Sequence, residues 1–273
     1  MKIFVVTGAN KGIGKSIVES LAEKLVSDDI VYLTARNPEL GLRALEEVKK
    51  LPTRKADVKF HQLEITDDES CRTFSSYLKS THGGIDVLIN NAGILFMGVP
   101  TRKSANETLK VNYYGTKRII QNLAPLIRKN GKIINLCSTT GIMGGIYSQE
   151  RISQLKSATT LSDVDKFVEE YVESTEPDTR GSRGFPEEDW GGYRVSKTAE
   201  LAMSSIFAKE LIKKDISVNA CCPGYCISEM TTDIYPPPSL TTQQGADTPV
   251  FLALEEGLGH GNFWFQREKI SWF

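Results

Sequence analysis

The sequence predicts an α/β fold, a doubly wound parallel sheet of about seven strands, and two observations carry the prediction. Short β-rich runs alternate with stretches of helical periodicity along the whole chain. The first of those runs leads directly into a glycine-rich loop that opens a helix. At 273 residues, 40% hydrophobic and 25% charged, the chain suits a single globular domain over 1–273.

Residues 3–7 form a continuous apolar strand ending at Gly8, and Ile13, Ile17, Leu21 and Leu25 then follow helical spacing. A second strand at 30–34 precedes a helix at 40–51, stopped by Pro52. Strands at 58–63 and 85–90 flank a helix at 67–80. One long helix is predicted over about 104–129, kinked near its end by Pro125. A fifth strand at 132–137, a helix at 193–213, a strand at 216–221 and a short strand at 262–265 complete the pattern. The rhythm breaks only between Ser138 and Tyr193, an interval too long for a structureless loop. Within it Val164, Phe167, Val168, Tyr171 and Val172 define one helix face, with Ser162 as the N-cap. Segment 142–190 is therefore read as a helical subdomain docked beside the active site. The sheet is expected to be Rossmann-type.

Charge and cysteine usage narrow the function classes. Net charge is −1, from 33 basic and 34 acidic residues, without a long basic run, so neither nucleic acid nor an anionic membrane is an expected partner. No apolar run reaches membrane-spanning length, and residues 1–7 are too short for a signal h-region. Five cysteines, an odd number without zinc spacing, point to reduced thiols in the cytoplasm. Three scattered histidines give no basis for a metal site.

The chemistry is written in two places. Gly8, Gly12 and Gly14 lie at a strand-to-helix junction, where backbone can approach a pyrophosphate and the helix N-terminus can meet its charge. The second strand ends at Arg36, where an NAD enzyme places a ribose-binding carboxylate, and Lys11 faces it from the glycine loop. Two cations suit a 2′-phosphate, hence NADPH. Downstream, Tyr193 and Lys197 stand one helical turn apart on one face. A phenol near pKa ~10 is a poor acid at neutral pH, and a neighbouring ammonium moves it toward the working range. The pair reads as an acid/base device.

These motifs, in this order, resemble the short-chain dehydrogenase/reductase family. They are Thr7–Gly14, Asn90-Asn91-Ala92-Gly93, Lys110-Val111-Asn112, Ser138, Tyr193 with Lys197, and Pro223-Gly224. The long Ser138-to-Tyr193 interval is similar to that of the monomeric carbonyl reductases. The resemblance implies reduction of ketones, aldehydes or quinones by a monomer acting on small molecules. Tyr193 would protonate the developing alkoxide, Lys197 would lower its pKa and hold the nicotinamide ribose, and Ser138 would orient the carbonyl. Asn112 would steady a water behind Lys197. Cofactor contacts would come from Gly8, Asn10, Lys11, Gly12, Ile13, Gly14, Arg36, Glu64, Ile65, Asn90, Ala92 and Gly93. The loop Pro223, Gly224, Cys226, Ile227 and Ser228 would hold the carboxamide. Phe96, Ile142, Cys222 and Tyr225 would line the substrate pocket.

The chain departs from that pattern at three points. Glu64 stands where relatives carry Asp, Leu40 where a second basic residue often follows the Arg, and Tyr225-Cys226-Ile227-Ser228 where Trp and Arg-Thr are usual. An altered substrate fit is the expected result. Two other readings stay open: a dehydrogenase of one steroid, retinoid or prostaglandin alcohol, and a non-catalytic NADPH sensor.

Overall fold

The computed structural model describes residues 1–273. Its strands are β1 (Ile3–Val6), β2 (Ile30–Ala35), β3 (Asp57–Gln62), β4 (Ile85–Asn90), β5 (Ile127–Leu136), β6 (Ser217–Cys222), β7 (Phe263–Phe265) and β8 (Glu268–Ile270). The helices are α1 (Gly12–Lys24), α2 (Pro38–Lys49), α3 (Asp68–His82), α4 (Arg102–Leu109), α5 (Thr116–Leu123), α6 (Gln149–Lys156), α7 (Leu161–Ser174), α8 (Gly191–Leu211) and α9 (Thr242–Leu254). One 8-stranded sheet runs in the order β3-β2-β1-β4-β5-β6-β7-β8. All pairs are parallel except β7 with β8.

Period-two alternation distributes each strand between two apolar cores. Ile3 and Val5 point to the face covered by α3, α4, α5 and α8, where they meet Phe74, Ile120 and Ile206. Phe4 and Val6 point to the face covered by α1, α2 and α9, where they meet Ile17, Leu45 and Val250. Both faces are buried, which is why β1 reads as an unbroken apolar run rather than an alternating one. The chain builds outward from β1 to β3 and then returns to β4 on β1's other side. That reversal opens a crevice at the carboxyl ends of β1 and β4.

The sheet has one strand more than the sequence predicts. β7 and β8 form a hairpin turning at Gln266 (φ 50°) and Arg267 (φ 63°). Both residues take the left-handed conformation without the Asn-Gly pair that marks such a turn in sequence. Helices α6 and α9 were also not legible. α9 carries Gly245 and Pro249, two residues that argue against helix, yet packs against α1 and starts in a capping box between Thr241 and Gln244.

The long helix predicted over 104–129 is broken. α4 passes into a π-helical turn, Lys110–Gly115, then into α5 and a 3₁₀ turn at Ala124–Leu126, and β5 begins at Ile127. Pro125 therefore ends the helix rather than kinking it.

The inserted segment folds as α6 and α7, its apolar face (Val164, Phe167, Val168, Tyr171) fully buried against the core under α8. The N-cap of α7 is Thr160, in a capping box with Asp163, rather than Ser162. Asp165 anchors the helix by accepting from Lys117 Nζ at 2.6 and 2.8 Å and from Tyr113 Oη at 2.8 Å.

Candidate active site

A cleft of about 760 Å³ opens at the crevice between β1 and β4. It gathers Gly8, Asn10, Lys11, Gly12, Ile13, Gly14, Arg36, Glu64, Ile65, Ala92, Gly93, Tyr193, Lys197, Pro223, Ile227 and Ser228, residues from across the chain. The glycine loop fits the pyrophosphate role. Gly8 has φ +61°, and a Cβ there would lie 2.8 Å from Ala92 Cα, so the turn after β1 lies flat against the turn after β4. Lys11 at the N-cap of α1 makes no side-chain cap, and the helix has no acidic residue in its first turn. Its first N–H groups thus carry no side-chain cap or acidic residue from the helix itself.

Arg36 is exposed at the end of β2 and lines the cleft. Lys11 reaches across instead to Glu229, forming an exposed ion pair between the glycine loop and the segment after β6. Glu64 turns its carboxylate onto Thr66, accepting from its backbone N at 3.0 Å and its hydroxyl at 2.9 Å.

Tyr193 and Lys197 follow one another on α8, and the Lys197 ammonium sits 5.6 Å from the Tyr193 ring centre. Lys197 Nζ donates to the Leu136 carbonyl at 2.9 Å, fixing it to the end of β5. Burial pulls the Lys197 ammonium toward the neutral form, but the Glu200 carboxylate, with further contributions from Tyr193 and Cys137, offsets it and the pKa stays above the ordinary lysine value. Burial raises the Tyr193 phenol above its ordinary value, and the downward pull of Lys197 does not overcome it. The direction expected from Lys197 alone is present but is outweighed.

Ser138 ends β5's extension and caps the 3₁₀ turn Thr139–Gly141, its Oγ accepting from Thr140 N at 3.2 Å. That turn is stitched to the helix bearing Tyr193. Arg194 Nη1 donates to the Thr140 carbonyl at 2.6 Å, and Thr198 Oγ1 to the Gly141 carbonyl at 3.0 Å. A Cβ on Gly141 would stand 2.8 Å from the Lys197 carbonyl carbon, so only glycine allows this approach. Arg194 also pairs with Glu188 Oε1 at 3.1 Å and stacks on Trp190, tying the end of the insertion to the Ser138 turn.

Asn112 lies in the π turn and is fully buried. Its Oδ1 accepts from Ile94 N at 2.8 Å, and its Nδ2 donates to Ile94 O and to Ser196 Oγ, both at 2.9 Å. The side chain thus ties the segment after β4 to α8.

Other expected residues fall outside the cleft lining. Asn90 donates to Asn135 Oδ1 at 2.8 Å inside the sheet. Gly224 takes φ +84°, and Cys226 is buried with its thiol donating to Pro223 O at 3.4 Å. Among the substrate candidates, Phe96 and Tyr225 are exposed beside lining segments, whereas Cys222 is buried with Ile142 packed against its cluster.

Asn91 is the residue sequence reasoning missed. It lines the cleft, and its Nδ2 donates to Thr7 O at 2.9 Å and Gly8 O at 3.0 Å, holding the glycine loop. Strand alternation was the available signal, since Asn90 and Asn91 must point apart. Leu95, Val111, Glu229 and Met230 also line the cleft.

Comparison with known proteins agrees with this geometry. A family model described as short chain dehydrogenase matches residues 2–149. The chain is 36% identical over 262 residues to carbonyl reductase [NADPH] 3 of Mus musculus, covering 93% of this chain and 91% of that protein. It is 33% identical over 283 residues to carbonyl reductase [NADPH] 1 of Homo sapiens, covering 99% and 98%. Among solved structures, salutaridine reductase from Papaver somniferum superposes with a TM-score of 0.86 at 26% identity, over 97% of this chain and 100% of that one. Menthone neomenthol reductase from Mentha piperita gives 0.82 at 26% identity, over 98% and 99%. A glycine loop at the switch point, a Tyr193–Lys197 pair and these relatives converge: the chain belongs to the short-chain dehydrogenase family.

Proposed function

We propose that this protein is an NADPH-dependent carbonyl reductase that converts small ketones, aldehydes or quinones to alcohols, with Tyr193 as general acid. The observation that carries the reading is Lys197. It lines the cleft beside Tyr193 while Leu136 and Glu200 hold its ammonium from behind. The curated relatives named above are carbonyl reductases whose names specify NADPH. Gly8, Gly12 and Gly14 fit a pyrophosphate, and Arg36 with Lys11 fits a 2′-phosphate once Lys11 leaves Glu229. When bound, the reduced nicotinamide supplies the hydride.

Tyr193 keeps its proton until a substrate oxygen gains negative charge, and then donates it. Ser138 Oγ donates to the same oxygen and orients it. Lys197 stabilises the phenolate left behind. Asn112 contributes by holding Ile94 and Ser196 in place.

α7 packs against α4 and α8, a face of the helical layer that is then closed to helix-to-helix assembly, so the protein acts as a monomer. Five unpaired thiols favour a reducing cytoplasm. No helix is long and apolar enough to cross a membrane.

The test is NADPH oxidation with a small quinone and an aromatic aldehyde, comparing wild type with Tyr193→Phe. Turnover in wild type and its loss in a variant that still binds NADPH is the expected result. Binding without turnover in both proteins overturns the reading and favours the sensor. Turnover of a single alcohol with NADP⁺, with all carbonyl compounds inert, favours the narrow dehydrogenase.

A further inference from the structure

Glu200 meets Lys197, yet the reaction as derived so far gives it no role in the proton transfer. It lies on α8, one turn beyond Lys197, and is 2% exposed. Its Oε2 sits 2.6 Å from Lys197 Nζ, while its Oε1 accepts from Thr116 Oγ1 at 3.4 Å. The carboxylate is absent from the cleft lining, so it stands behind Lys197 as seen from the cofactor. An ammonium has three donors. Leu136 O takes one, while Glu200 Oε2 meets the ammonium as an ion pair at 2.6 Å without the alignment of a hydrogen bond.

We propose that Glu200 is a positioning residue for Lys197: as a buried counter-ion behind the cleft it holds the ammonium in place and offsets the lysine's charge, so that Tyr193 is kept loaded as a proton donor and the site is biased toward reduction. The proposal rests on the reading of Tyr193 as general acid. The argument is Coulombic. A lone buried ammonium beside a phenol favours the phenolate, the form needed to take a proton from an alcohol. An ammonium paired with a carboxylate acts as a near-neutral unit at the phenol's distance and favours it less.

The groups facing this pair are few. Tyr193 lies on the same helix, Thr116 comes from α5, Cys137 lies at the end of β5, and Cys221 and Cys222 belong to β6. None of these is a second cation, so Lys197 is the charge that Glu200 offsets. Burial pushes the Glu200 carboxyl up to about 7 against the pull of Lys197. The offset therefore strengthens as pH rises through neutrality.

The test is a tyrosinate absorbance titration, taking the difference between each protein and its Tyr193→Phe counterpart so that only Tyr193 is read. Wild type is expected to titrate above the ordinary phenol value of ~10. Glu200→Gln, which keeps the shape and removes the charge, is expected to titrate about one pH unit or more lower. Glu200→Asp is expected to restore much of the difference. The alcohol-oxidation pH profile of Glu200→Gln should move down by a similar amount, with NADPH affinity within about threefold of wild type. An unchanged or higher Tyr193 titration in Glu200→Gln overturns the proposal. So does a wild-type titration below ~9, which needs no Glu200 variant to fold. If Tyr193→Phe retains turnover, the general-acid reading fails, and the titration still decides whether Glu200 governs this phenol.

Discussion

Replacing Gly8 by alanine separates backbone strain from steric collision at the cofactor loop. Gly8 takes φ +61°, where an L side chain costs about 1–2 kcal/mol. The new Cβ would also stand 2.8 Å from Ala92 Cα and 3.3 Å from Ala92 N, backbone atoms that cannot swing aside. The turn after β1 must therefore move off the turn after β4, taking with it the N–H groups at the start of α1 and the Asn91 bonds to Thr7 and Gly8. Loss of aim at a charged ligand adds about 1–2 kcal/mol, because hydrogen bonds to charged groups are worth ~1.5–3 kcal/mol each. Gly83→Ala is the matched control. Its φ is +70°, it caps α3, and an added Cβ meets nothing within 4 Å. Both variants should lose about 2–4 °C in Tm per kcal/mol of strain. Only Gly8→Ala should weaken NADPH binding, by about 10- to 100-fold in Kd measured by titration calorimetry. If Gly8→Ala binds NADPH within about twofold of wild type, the cradle is misassigned.

Three further outcomes are expected. Arg36→Ala should lower affinity for NADPH by about 10- to 100-fold and leave NADH nearly unchanged, since a charged hydrogen bond to a 2′-phosphate is what it removes; equal losses for both would refute the role. Arg194→Ala should leave the Thr140 carbonyl and the Glu188 carboxylate short of partners. Stability should then fall by about 2–3 kcal/mol in urea melts, and kcat should fall more than NADPH affinity, because the Ser138 turn is loosened. His82 accepts or donates at 2.8 Å to Tyr32 Oη, and its pKa is lowered by burial, with further lowering from Lys59 and Arg128. The unfolded chain then binds a proton more readily, so stability should decline as pH falls through the ordinary histidine value near ~6.5. His82→Gln should flatten that slope in thermal melts between about pH 7.5 and 5.5.

The order of elements and most of the cleft were legible because both rest on local rules. A buried strand must be apolar, a phosphate turn needs glycines, and a one-turn spacing puts Tyr193 and Lys197 on one side of a helix. What escaped depended on partners far away in sequence. α9 is held by α1 despite its Pro249, and the β7–β8 turn is held left-handed without glycine by the strands it joins. At the site, the same limit appears in energies. The sequence presents Lys197 as a free cation acting on Tyr193, whereas the fold places Glu200 against it and buries the ion pair. Asn91 was passed over for Asn90 although adjacent strand-end residues cannot face one ligand together.

The π turn at Lys110–Gly115 has a consequence for which changes this gene can accept. A π turn accommodates one residue more than an α turn over the same rise, and each residue advances an α-helix by about 100°. α4 therefore presents its buried side to α7 and α8, while α5, one step out of phase, presents its own to α3. Exchanging residues here alters packing one side chain at a time. Adding a residue would instead rotate α5 by about 100° and bring charged side chains such as Arg118 inward, while deleting one would convert the turn to regular α-helix and carry Asn112 away from Ile94. The segment should tolerate many substitutions and almost no change of length.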